Sequence, residues 1–476
     1  MRFSCFPENC LFVEMVKMSG NASADRIGGD TRKNDLLNGP LFKKIILFAL
    51  PLALSSILQQ LFNAADTAVI GRFASSDSMA AVGATSIVIN LIIGLFIGLS
   101  VGSNVVVASL IGRDDRARIP KAVHTSIMLA LLSGIVLLFV TFIIARPVLQ
   151  LLSTPENILD RSVLYLRIIS LGLPFMMIYN FAASVLRSMG DSRRPFIALV
   201  IGGIVNVLLN LLFVIVFQMD VSGVAIATVI SNGLSAAILI VVLLREEEPF
   251  RLSLRKLSLN KNDLIWIFKI GAPAGLQSIV FSVSNMVIQT AINSFGSDAI
   301  AGTTAAINLD FVAYFIIVSF NQSATTFISQ NYAAGQYDRC KKILRICLFT
   351  ALIVSQLICF IMYLAADSCL GIFTDDPQVI AYGKIRFAYA ILFGGIPAFY
   401  EVTGSAMRGM GVSLLPAVLT IFGTCAFRVI WILLVVPAHH TFEMVMVIYP
   451  LSWVVTGVLV MGSYLLLRKK LMPQEA

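Results

Sequence analysis

The residue with the most chemistry to offer is Asp66. It lies in LFKKIILFALPLALSSILQQLFNAADTAVIGRF, residues 41–73, and no charge intervenes between Lys44 and Asp66. About 20 apolar residues are enough to cross a bilayer, and an ionisable group within such a run is costly and marks function. Ser56, Gln59, Asn63 and Asp66 are spaced 3, 4 and 3, so on a helix they form one polar stripe. A wet stripe on an oily helix faces a cavity or a partner helix. In a poorly hydrated site a carboxyl group holds its proton more readily than in water, so Asp66 is suited to exchanging a proton for another cation. The alternative is structural, a partner for a helix-end dipole or for Arg72. Arg72 is six positions on and off the stripe, which favours the coupling role.

Other residues offer polar contacts within apolar runs. Ser278, Ser282, Asn285 and Gln289 share one helical face, as Gln59 and Asn63 share that of Asp66. Such amides serve equally as ligand contacts or as hydrogen bonds between helices. Asp310 has Tyr314 four positions on, Glu401 shares a stripe with Ser405 and Arg408, and Arg428 lies inside a later run. Asp310 and Glu401 are read as cation-binding counter-charges. The other reading pairs one of them with Arg428 in a buried ion pair that holds helices together.

Enzymatic chemistry finds no support. There is no G-x4-G-K-[ST] phosphate loop, no nucleophile elbow and no HExxH. The three histidines, His124, His439 and His440, fall at span ends without a metal pattern. The seven cysteines include no CxxC pair, so neither a zinc site nor a disulfide framework is implied. No cofactor and no bound metal is expected, beyond the possibility of sodium at Asp66. Uphill transport by such a chain would draw on an ion gradient.

Those residues need helices to position them, and the composition supplies the class. Of 476 residues, 58% are hydrophobic and 13% charged, with a mean hydropathy of +0.89. Soluble domains carry about 25% charged residues, so this is an all-α polytopic membrane protein. The net charge of +9 would suggest nucleic acid if it formed a soluble patch. Here the basic residues lie in short loops between apolar runs, and no nucleic-acid partner is expected.

Hydropathy places spans at about 42–72, 79–111, 122–145, 163–189, 195–218 and 221–244, then 263–294, 299–331, 343–366, 383–409, 416–437 and 442–467. Residues 1–40 form a polar tail, 41–244 an N-terminal six-helix lobe, 245–262 a linker, 263–468 a C-terminal six-helix lobe, and 469–476 a second tail. No signal peptide is read in the first tail, and Met18 is read as the better start, with residues 1–17 an over-extension. Of the 35 Lys and Arg, 28 fall in the tails and the loops on one side. By the positive-inside rule both termini are cytoplasmic.

The halves repeat. Pro51, Asn63 and Phe73 return as Pro273, Asn285 and Phe295, an offset of 222. Arg118 and Lys121 return as Arg339 and Lys342, and Arg187-x-x-Gly190-x4-Pro195 as Arg408-x-x-Gly411-x4-Pro416, both at 221. Six spans per unit give both lobes the same orientation. They are parallel repeats about an axis along the membrane normal, an arrangement of secondary transporters with a site between halves.

The stretch QQLFNAADTAVIGRF, the GATS at Gly83 to Ser86, SQNYAAGQYDR from Ser329 to Arg339 and the paired R-x-x-G-x4-P elements resemble the multidrug and toxic compound extrusion (MATE) family. The likeness runs from about residue 41 to 468. It implies two lobes around a V-shaped central cavity, and efflux of organic cations in exchange for protons or sodium. In the family an acid on the first helix couples the ion, and Asp66 occupies that motif position. Where some members add an Asp on the fifth helix, this chain has Asn206 and Asn210, expected to neighbour Asp66. Where others add a Glu on the seventh helix, it has Phe281 and Ser282.

The expectation is a secondary active multidrug antiporter, working as a monomer in the plasma (inner) membrane by alternating access. Asp66 couples the ion, while Gln59, Asn63, Asn206, Asn210, Asn285, Gln289, Asp310 and Glu401 form the cation and substrate sites. Protons are favoured over sodium, since a hard cation wants several oxygen ligands. Two alternatives remain: a flippase for lipid-linked saccharides, which would want several basic residues in the cavity, and a non-exchanging channel or sensor.

Overall fold

The computed structural model describes residues 35–73, 76–152 and 154–472; the expected start at Met18 lies outside them. Among these residues there are fifteen α-helices and no strand. The first six spans are α1 (Leu41–Phe73), α2 (Ser76–Gly112), α3 (Ile119–Leu151), α4 (Glu156–Ser188), α5 (Arg193–Leu211, continued by a π turn over Leu212–Val216) and α6 (Asp220–Leu244). The second six begin with α7 (Lys261–Asn293), α8 (Ser297–Ala333) and α9 (Tyr337–Leu364), followed by the short α10 (Ala366–Gly371). Then come α11 (Pro377–Tyr389) and α12 (Ala398–Gly409), α13 (Leu414–Thr420) and α14 (Phe427–Leu434) flanking a π turn over Ile421–Ala426, and α15 (Phe442–Leu471).

Among the described residues eleven helices are long and apolar enough to cross a membrane, or twelve when the bent pair α11–α12, with its 45° break, is taken as one span. The expected continuous helix over 383–409 is therefore two pieces. Gly394, Gly395 and Pro397 lie between them; glycine loses most entropy in a helix and proline removes a hydrogen bond. The eleventh span is likewise interrupted, by the π turn before Arg428. Helix α4 begins at Glu156 rather than near 163, because Pro155 precedes it and the acid of its first turn suits a helix N-terminus.

The repeat is visible in local geometry. Gly190 and Gly411 have φ of +86° and +88°, the left-handed region that ends helices at glycine. At Gly190 the Asp191 amide donates to the Leu186 carbonyl at 3.0 Å, and at Gly411 the Val412 amide donates to Met407 at 2.9 Å. Both R-x-x-G-x4-P motifs thus close one helix and aim the next.

The first helix of each half crosses to the other half near the face where the basic loops gather. The start of α1 (Ile45, Phe48, Ala49 and Leu52) is buried with Ile317, Phe320, Ala324 and Phe327 of α8 and with Val402 and Ala406 of α12. Reciprocally, Ile267 of α7 joins Leu99, Val106 and Leu110 of α2 in the N-terminal core. Glycines permit this. A methyl group at Gly98 would lie 2.3 Å from the Gly275 nitrogen, and one at Gly102 would lie 2.3 Å from the Ile267 carbonyl oxygen. Polar bonds complete the seal: Thr326 donates to Asn104 at 3.0 Å, Gln330 to the Ser188 carbonyl at 2.6 Å, and Arg118 pairs with fully buried Asp263 at 2.6 Å. The halves are shut together on the basic side.

Candidate functional site

Away from that seal the halves part. A cavity of about 830 Å³ is lined by Gln60, Asn63, Ala64, Thr67, Ala68, Gly71 and Arg72 of α1, Met79 of α2 and Asn308 of α8. All the α1 residues belong to its second half, so the cavity occupies the side of the molecule opposite the basic face.

Asp66 sits among these α1 residues but turns into the N-terminal lobe. Asn210 of α5 donates its side-chain amide to the Asp66 carboxylate and, at 3.2 Å, to the Asn206 side-chain oxygen. Asn206 donates to Thr228 of α6 at 3.3 Å, and Thr228 also reaches the Asp66 carboxylate. Tyr165 of α4 is close enough to feel its charge. Four helices therefore converge on one acid. Asn206 and Asn210 are buried, Asp66 half-buried. They meet because Asn206 and Asn210 lie one turn apart on α5, which packs along α1, with Gly203 giving room for the Phe62 ring. The Asn210 side-chain oxygen is buried without a hydrogen-bond partner, leaving an unused acceptor beside the carboxylate.

The remaining expected residues fall elsewhere. Asn63 lines the cavity, but its companion there is Gln60 rather than Gln59, which is exposed. Gln289 donates to Asn293 at 2.9 Å, a bond along its own helix. Glu401 accepts from Asn321 of α8 at 2.7 Å, Ser405 donates to the same Asn321, and Arg408 acts on Glu401 through its charge. None of these joins the Asp66 cluster.

Among the described residues, neither Asp310 nor Glu401 pairs with Arg428, as the alternative reading would have it. Asp310 pairs at 3.9 Å with Arg386. Arg386 is only 4% exposed, inside α11. Arg428 donates instead to Ser452 at 2.9 Å and to Asn285 at 3.5 Å. The carbonyl of Asn285 thus faces a guanidinium.

Sequence reasoning missed Thr228, Tyr165, Arg386, Asn308 and Asn321. At the 221 offset Thr228 corresponds to Tyr449 and Tyr165 to Arg386, but nothing in the residue types marks either position.

Up to twelve spans among the described residues, an internal duplication and a half-buried acid beside a cavity between halves define a polytopic, internally repeated α-helical membrane protein. The MatE family model matches twice, at residues 51–212 and 273–434, an interval of 222 that equals the sequence repeat. The chain belongs to the MatE family. Among curated relatives, the probable multidrug resistance protein YoeA of Bacillus subtilis is 28% identical over 90% of this chain and 95% of its own length. The probable multidrug resistance protein NorM of Thermotoga maritima is 26% identical over 79% and 82%. The multidrug export protein MepA of Staphylococcus saprophyticus is 22% identical over 86% and 94%. A solved structure described as the outward-facing conformation of a multidrug resistance MATE family transporter superposes with a TM-score of 0.87, at 21% identity over 94% of this chain and 100% of that one. Another, a MATE protein in a bent conformation, gives 0.86 at 20% identity over 94% and 99%.

Proposed function

We propose that the protein is a cation-coupled multidrug efflux antiporter that exports organic, mostly cationic compounds in exchange for protons. The single observation that carries this reading is one carboxylate, Asp66, held by neutral partners next to a cavity between the lobes. Among the described residues no group of three or more His, Cys, Asp or Glu surrounds it. A lone buried carboxylate changes charge on binding a proton, and that change is felt strongly where little water screens it.

The mechanism is competition. Ionised, Asp66 supplies the counter-charge that holds a cation in the N-terminal lobe. Protonation from outside removes that counter-charge and releases the cation into the open cavity. The neutral lobe then permits the halves to rock, breaking the seal on the basic face and reopening the site to reload. By the distribution of Lys and Arg the basic face is cytoplasmic. Both termini then lie on the cytoplasmic side of the plasma membrane, and the chain works as a monomer. Among the cavity-lining residues Arg72 is the one cation, which suits cationic cargo better than a lipid-linked phosphate.

Sodium is the second reading, favoured by the unused Asn210 oxygen. With the Asn206 oxygen and the Asp66 carboxylate it offers several hard oxygen donors of the kind such an ion seeks. Proteoliposomes separate the two. Under an imposed pH gradient without sodium, a cationic dye should be driven uphill. Movement only when a sodium gradient replaces it would overturn proton coupling.

A further inference from the structure

The C-terminal lobe carries a second charged cluster, of opposite sign, in the corresponding place. Arg386 of α11 and Arg428 of α14 both lie against the ring of Tyr449 of α15, their guanidinium carbons 4.7 and 4.8 Å from its centroid. At the 221 offset Arg386 corresponds to Tyr165 and Tyr449 to Thr228, two residues of the Asp66 cluster; Arg428 follows Phe427, the counterpart of Asn206. The duplicated architecture thus carries an acidic cluster in one lobe and a basic cluster in the other, in neighbouring rather than identical positions.

The charges there do not balance. Glu401 has Asn321 and Arg408 as partners, and Asp310 has Arg386. Arg428, 1% exposed, has only the neutral Ser452 and Asn285, with Phe281 5.6 Å away as a further aromatic face. The Arg386 Nε–H is buried without an acceptor. Burying a cation without an anion is costly, and aromatic contacts return only part of that cost. A guanidinium fork with a free edge matches a carboxylate in shape and charge. The π turn over Ile421–Ala426 immediately precedes Arg428, and such turns often mark functional positions. Asn285 links the cluster to the surface of α7. It is exposed on α7, it is the repeat counterpart of the cavity-lining Asn63, and its 3.5 Å bond to Arg428 is a long one to displace.

We propose that Arg428 and Arg386, braced by Tyr449, form a binding site for the carboxylate of a transported compound, so that aromatic acids and zwitterions fall within the substrate range. The carboxylate takes the place of the Asn285 oxygen on Arg428, and an apolar ring beside it packs on Phe281. This rests on the transport reading above, but its test is binding alone, with no gradient.

The probe pair is 2-naphthoate and the isosteric, uncharged 2-naphthamide, titrated calorimetrically into purified protein. The wild-type protein should bind the acid about tenfold or more tightly than the amide, the scale of one added charged hydrogen bond. Arg428→Gln should abolish that preference while amide affinity holds, Arg428→Lys should retain part of it, and Asp66→Asn should leave it intact. Equal binding of acid and amide by the wild type, which needs no variant to fold, overturns the proposal. So does a preference that survives Arg428→Gln. Loss of the preference in Asp66→Asn would also contradict it, since the site would then depend on the other lobe.

Discussion

Among the described residues the groups facing Asp66 are neutral: the Asn210 amide, Thr228 and, further out, the Tyr165 phenol. That is the surrounding an exchanging acid needs, because a nearby guanidinium would hold it permanently ionised. Asp66→Asn removes the charge and keeps the shape. It spares the desolvation cost of a buried carboxylate, and its side-chain oxygen still accepts from Asn210, so insertion and thermal stability should match the wild type. Export of a cationic dye from cells or vesicles should fall to background. Wild-type export by that variant would make Asp66 structural. The acid itself was legible in the sequence, since the 3, 4, 3 spacing of Ser56, Gln59, Asn63 and Asp66 puts one polar face on an apolar helix. Thr228 and Tyr165 were not. Both carry common side chains in apolar runs, and only tertiary packing brings them to the carboxylate.

At the scale of elements, helix ends do more to fix the architecture than helix interiors. Gly411 ends α12 with φ of +88° and has open space where a Cβ would sit. A substitution there meets no clash, only the backbone cost of a left-handed residue, about 1–2 kcal/mol. Gly411→Ala should therefore lower unfolding stability by roughly that amount, measured by denaturation in detergent, and leave dye affinity unchanged. A neutral effect would mean the Arg408–Pro416 motif does not rely on the turn. The twelve-span pattern was readable because each run exceeds the bilayer length. The break between α11 and α12 had its signal too, in Gly394, Gly395 and Pro397, which a hydropathy window averages away. The π turns had none: a π turn inserts one residue per turn without a residue type of its own. Arg386 was lost for a related reason. It lies near the N-terminal edge of its apolar run, where counting charges treats it as loop.

For the whole molecule, closure on one face and a cavity on the other follow from the way α1 and α7 exchange partners. The glycine seam of Gly98, Gly102, Gly271 and Gly275 brings backbones together, so opening that face exposes polar groups such as Asn104, Thr326 and Asp263 to water. Such a seal suits a switch between defined arrangements, as the proposed alternating access requires. The duplication was legible from offsets of 221 and 222. The crossing of the first helices was not, because an apolar stripe records burial and not the partner that buries it.

The central claim is that a cation and a proton compete for Asp66, and proton release on binding tests it most directly. Purified protein in a weakly buffered detergent solution, near neutral pH and without sodium, is mixed with a permanently charged cationic dye while solution pH is followed. Acidification approaching one proton per dye bound is expected at pH values where Asp66 starts protonated, and none from Asp66→Asn. Dye binding without proton release at any pH, or equal release from Asp66→Asn, would contradict it.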